Sequence, residues 1–190
     1  MTKILACPFK WRLFGVVRRR VLVWKRLVFV IAIGAISSCG VIDRGKNFIS
    51  SEKVWPKVKK EASKYGLDPA FVYAICHAES SLNANAETSV ARGMMQLTEG
   101  AWKDVTDKSY RLAFNWETNV EVGTGYLGKL KEMLGNANVF NYPRLAASYR
   151  YGYGALRKQG FLVSKMKTPK NRIYRKIFAG EIRPVKTPSD

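Results

Sequence analysis

The chain has 190 residues, 47% of them hydrophobic, and its 33 Lys and Arg against 14 Asp and Glu give a formal net charge of +19. For a chain of that length one domain with a genuine core is expected and no more, and the composition is that of a globular protein. A charge excess of this size predicts an anionic partner.

The first 38 residues include eight Lys or Arg and no acid, and they contain the apolar run Leu27–Ile36, followed by Ser37-Ser38-Cys39-Gly40. A basic segment, a short apolar run and small residues at the cut predict a secretory signal peptide over 1–38; the run falls short of the roughly 20 residues a membrane-spanning helix needs. Ile36-Ser37-Ser38-Cys39 resembles a bacterial lipoprotein box, which implies lipidation of Cys39. Several acyl chains, at roughly 0.8 kcal/mol per buried methylene, would anchor the protein durably. The expected location is the cell envelope, facing the periplasm, with the outer membrane favoured over the inner. The basic segment is long for its purpose, so we expect translation to begin later, within Val16–Val23. Without residues 1–38 the charge is +11, from 25 basic and 14 acidic residues. Cys7 then lies in the leader and Cys39 under lipid, which leaves Cys76 without a disulfide partner.

Residues 39–51 read as a tether. From Glu52 the pattern turns helical, with Val54, Trp55, Val58 and Ala62 on one side, Pro56 expected in the first turn, and Gly66 as the stop. Asp68-Pro69 predicts a capped second helix running to Glu79, and the polar segment Ser80–Gly93 predicts a loop. Further helices are expected over 98–106, 118–134, 143–158 and 170–178, strands are nearly absent, and 184–190 reads as a flexible tail. The domain proper is therefore placed at 52–183.

Within the second helix Val72, Ile75 and Cys76 precede Glu79 by seven, four and three positions, so the acid continues an apolar stripe. A carboxylate there is unusual, whereas Cys76 on the same stripe predicts buried packing rather than a nucleophile. Three ordered motifs surround this acid: Glu79-Ser80, the ARGMMQ of Ala91–Gln96 and the ASYRYGYGA of Ala147–Ala155, with NVEVGTGYL of Asn119–Leu127 between the last two. They resemble the E-S, G-L-M-Q, A-Y-N-x-G and N-I-x-x-G-x-x-Y-L segments of soluble-type, goose-lysozyme-like lytic transglycosylases. The resemblance spans roughly Val54–Leu156 and implies an all-α, lysozyme-like domain that cleaves peptidoglycan glycan strands as a monomer, without cofactor or metal.

Protonating a sugar leaving group demands an acid that keeps its proton near neutral pH, and an apolar helix face supplies the desolvation that achieves this. Most glycosidases need a second carboxylate. None lies in the matched motifs, and Glu87, Glu99, Asp104 and Asp107 read as surface charges. The resemblance implies how Glu79 suffices as the catalytic residue: the C6 hydroxyl of N-acetylmuramic acid attacks C1, Glu79 turns from acid to base, and a 1,6-anhydro end results. It also implies substrate-contacting roles for Ser80, Met94, Met95, Gln96, Asn119 and Tyr149, the tyrosine hydroxyl approaching the acid. Residue-level alternatives stand beside these: Ser80 satisfying helix carbonyls, the methionines filling core, Gln96 bonding loop backbone, and Asn119 capping a helix.

Two departures from the family pattern stand out. Arg150 and Tyr151 replace the asparagine and the residue after it, and Arg150 is expected to face solvent or a substrate carboxylate, because pointing at Glu79 it would oppose protonation. The loop Ser80–Gly93 is also about one residue short of the commonest family form. His77 is the single histidine and HAES is not HExxH, which excludes a zinc site of that kind. The YRYGYG run either offers aromatic faces to sugars or packs in the core. A goose-type lysozyme hydrolase and a non-catalytic peptidoglycan-binding scaffold are the alternative functions, while export and the lack of a binding motif argue against nucleic acid.

Overall fold

Residues 44–189 are described in the computed structural model; the expected signal peptide, Cys39 and the first part of the tether lie outside them. The first helix, α1 (Ser51–Lys64), buries Val54, Trp55, Val58 and Ala62, the four positions its periodicity predicts. Pro56 sits beyond the first turn rather than within it. It is tolerated because Pro56 and Glu52 are both exposed, so water replaces the hydrogen bond that the proline cannot donate.

The second helix, α2 (Pro69–Ser80), is capped by the Asp68 carboxylate, which accepts from the amides of Ala70 and Phe71 at 2.8 and 3.1 Å. After it come a two-residue antiparallel pair, β1 (Ala91–Arg92) and β2 (Leu97–Thr98), a short α3 (Glu99–Lys103), a 3-10 turn at Tyr110–Phe114 and the long α4 (Trp116–Asn136). The helix expected over 143–158 is two, α5 (Tyr142–Tyr151) and α6 (Tyr153–Lys158), because Gly152 adopts φ 88° and breaks the ladder. The last helix is α7 (Arg172–Phe178). Helices dominate, as expected.

The long α4 packs against α1, α3 and α5, while α2 and α5 both pack against α7. This brings the C-terminal end of α2, which carries Glu79, into one corner with α5 and α7. Residues 44–49 do not behave as a free tether. Ile49 N–H donates to Leu82 O at 3.1 Å, Ala84 N–H donates to Asn47 O at 2.8 Å, and the Asn85 carboxamide donates to Arg44 O at 2.8 Å. The polar backbone left by a tight loop finds its partners in the incoming chain. At the other end, Arg183 pairs with Asp68 and Val185 packs against the core, so the stretch read as a flexible tail is in contact with the domain there.

Candidate active site

The site begins with how α2 ends. Ser81 and Leu82 take left-handed conformations at φ 55° and 66°, which costs non-glycine residues about 1 kcal/mol each. Burial of Leu82, 3% exposed, offsets that strain and turns the chain sharply away just past Glu79. On the other side, the Asn171 side chain caps α7 and donates to Ala78 O at 3.0 Å, so α7 is tied to the last turn of α2. Tyr174 then donates its hydroxyl to Glu79 Oε1 at 2.5 Å.

Arg150 arrives from the last turn of α5, and its Nη1 lies 3.0 Å from Glu79 Oε2 and 3.4 Å from Oε1. This corrects the expectation that Arg150 faces solvent or substrate. The Glu79 side chain is 5% exposed and that of Arg150 44%, so the guanidinium forms the outer cover of the acid. Burial pushes the Glu79 carboxyl above its ordinary range, and Tyr174 and Arg150 each pull it back only in part. The acid is thus biased toward its protonated form despite a cation in contact.

Tyr149 was expected to approach the acid through its hydroxyl, but that hydroxyl donates to Met95 O at 2.8 Å. The tyrosine bonded to Glu79 is Tyr174, which the sequence reading missed. Its only signal was an asparagine three positions ahead at a helix start, and a capping asparagine says nothing about which helix face meets Glu79. Met94 and Met95 are fully buried and fill core rather than line an open surface. The Gln96 carboxamide donates to Ala86 O and Gly93 O, each at 2.9 Å, so it closes the loop on itself. Asn119 is also fully buried: its Oδ1 accepts from Met95 N–H at 2.7 Å, and its Nδ2 donates to Ala113 O and Arg92 O at 2.8 and 3.1 Å. It caps nothing, since Asn115 caps α4. Ser80 is half-buried and its hydroxyl turns back to Cys76 O at 3.4 Å, the backbone-satisfying alternative.

Gly93 is needed where this loop meets Asn119. It has φ 78°, and a Cβ there would stand 2.0 Å from Ala113 O and 2.3 Å from Asn119 Nδ2. Cys76 is fully buried with its thiol pushed up to about 12 by desolvation, which makes it inert at neutral pH. In the YRYGYG run, Tyr151 donates to Lys167 O at 2.8 Å and meets Phe178 edge to face, while Tyr153 meets Phe161. These rings pack the domain.

Of the acids weighed as second carboxylates, Glu87, Glu99 and Asp104 pair with Arg92, Lys103 and Lys129, and Asp107 is exposed. A surface cavity of about 310 Å³ lies between α7 and residues 163–169, lined by Met166, Thr168, Arg175 and Phe178 among others. It contains none of the expected site residues; the expected catalytic residue, Glu79, is instead a buried acid in contact with the exposed side chain of Arg150.

A helical domain that holds the buried Glu79 carboxyl in a corner of α2, α5 and α7 has a lysozyme-like architecture. The chain belongs to the transglycosylase SLT domain family, whose model matches residues 56–171. It is 30% identical over 125 residues to membrane-bound lytic murein transglycosylase F of Desulfosudis oleivorans, covering 62% of this chain and 26% of that protein. It is 34% identical over 117 residues to membrane-bound lytic murein transglycosylase C of Yersinia pestis, covering 55% and 32%. The chain therefore spans about a quarter to a third of these relatives. Among solved structures it is similar to an inactive mutant of the lytic transglycosylase Slt from Pseudomonas aeruginosa, with 23% identity, a TM-score of 0.50, and coverage of 67% of this chain and 21% of that one. That likeness establishes the fold.

Proposed function

We propose that this domain is a peptidoglycan lytic transglycosylase that cleaves the β-1,4 bond between N-acetylmuramic acid and N-acetylglucosamine, with Glu79 as its catalytic acid and base. The observation that carries this reading is Glu79 itself: a carboxyl 5% exposed, raised by burial, with no second acid among the groups that shift it. Protonated Glu79 gives its proton to the glycosidic oxygen as the bond to C1 breaks. The C6 hydroxyl of the same muramoyl residue then closes on C1 and returns a proton to Glu79, which leaves a 1,6-anhydro end. Family membership supports the substrate class, and the relatives' names describe murein transglycosylases bound to membranes.

Ser80 and Tyr149 flank the acid and serve as substrate neighbours in this scheme, whereas Met94, Met95, Gln96 and Asn119 shape the floor and the loop from behind. The protein works at the cell envelope, exported by residues 1–38 and held by lipid on Cys39, facing the periplasm. No helix among the described residues is long and apolar enough to cross a membrane. Incubating the purified protein and Glu79→Gln with peptidoglycan, and weighing the soluble products by mass spectrometry, tests the reading. Anhydro-muropeptides from the wild type alone are expected. Hydrated reducing ends would identify a lysozyme instead, and binding without release would identify a scaffold.

A further inference from the structure

We propose that Arg150 is the residue through which this site recognises a carboxylate on its glycan substrate, leaving Glu79 for that carboxylate as the substrate binds. The proposal rests on the reading of the domain as a peptidoglycan-cleaving enzyme. Both oxygens of Glu79 are engaged, Oε1 by Tyr174 and Oε2 by Arg150. A sugar oxygen that is to take a proton from this acid must displace one of them. Tyr174 is fully buried and held by α7, while the Arg150 side chain is 44% exposed at the end of α5. Only Arg150 can swing away.

A guanidinium does not lose its charge, so on leaving one carboxylate it pairs readily with another anion. Stem peptides on muramoyl residues carry carboxylates beside the scissile bond, and a planar fork suits them. The charged and titratable groups that face Glu79 are Cys76 on its own helix, Tyr149 and Arg150 on α5, and Tyr174 on α7. Arg150 is the one cation among them. Its departure removes the one positive charge that pulls the Glu79 carboxyl down, so with the substrate seated burial raises the acid further. The neutral asparagine of the resembling family's motif cannot make this exchange, and Arg150 stands in its place here.

The test uses the full chain with native sacculi and with sacculi whose carboxylates have been converted to methylamides by carbodiimide coupling. Binding is measured in Glu79→Gln, which leaves glycan uncleaved, alone and combined with Arg150→Asn or with Arg157→Asn, a control that removes the same charge from an exposed position on α6. At about 1 M salt, where the chain's general charge is screened, Glu79→Gln is expected to bind native sacculi about tenfold more tightly than neutralised ones. Arg150→Asn should abolish most of that ratio, while Arg157→Asn should leave it nearly intact. Equal losses in the two, or a ratio that Arg150→Asn does not change, would overturn the proposal. In the otherwise wild-type enzyme Arg150→Asn should raise KM on native substrate and move the basic limb of kcat/KM to higher pH; an unmoved limb also counts against it. If the wild type released no anhydro product, the assignment of function would fail, while the binding ratios would still judge Arg150.

Discussion

Glu61 and Glu79 are both buried carboxylates whose neighbours drive them in opposite directions. At Glu61 burial favours the neutral acid, but Lys64 and Lys57 on the same helix outweigh it and the group is lowered. At Glu79 burial prevails and the group is raised. A carboxyl raised in the folded state binds a proton that the unfolded chain has lost, so its stability contribution falls as pH rises from the ordinary value near 4.5 through the folded one. Glu79→Gln is therefore expected to be more stable than wild type at pH 7 by ~0.5–2 kcal/mol, with the gap closing below about pH 4.5. Thermal melts across pH measure this; a gap that grew in acid would contradict it. Tyr174→Phe removes a hydrogen bond to a charged group, worth about 1.5–3 kcal/mol, so kcat/KM should fall roughly 10–100-fold. Its basic limb should also shift upward, because a donor favouring the charged form is gone. The acid itself was legible in the sequence because it breaks an apolar stripe. Its partners were not, since Arg150 and Tyr174 stand 71 and 95 positions away and which face each helix turns inward depends on tertiary packing.

At the scale of elements, the loop between α2 and β2 is held by side chains read as substrate contacts. Asn119 satisfies one donor and two acceptors of that loop and its neighbour, so Asn119→Ala leaves several buried groups unpaired. Urea unfolding should show a loss of about 2–4 kcal/mol, with activity falling along with loop order; a loss below about 1 kcal/mol would show that water takes over these bonds. Helix starts were read well, because Asp68-Pro69 is a local cap signal that needs no tertiary information. The break at Gly152 was not, since a glycine inside an apolar pattern is compatible with a continuous helix until the chain turns. The docking of residues 44–49 against 82–85 was also out of reach. It joins main-chain groups to one another and to the side chains of Asn83 and Asn85, and main-chain donors and acceptors leave no mark on side-chain patterning.

The whole molecule combines one small site with a large excess of positive charge, +19 over the full chain and +11 without residues 1–38. On the proposed function such a field would concentrate the protein on anionic wall polymer, and salt screens it. Raising ionic strength from about 0.1 to 1 M shortens the Debye length from roughly 10 to 3 Å, and retention of the full chain on sacculi should drop about tenfold in pelleting assays. Retention indifferent to salt would locate the adhesion in the cleft alone. The central claim is that one acid suffices because the substrate's own hydroxyl closes on C1. Digesting peptidoglycan in oxygen-18-labelled water and weighing the new muramoyl ends tests it most directly. The account predicts anhydro ends that carry no label, absent with Glu79→Gln, whereas one labelled oxygen at C1 would mean that water attacks and the enzyme is a hydrolase.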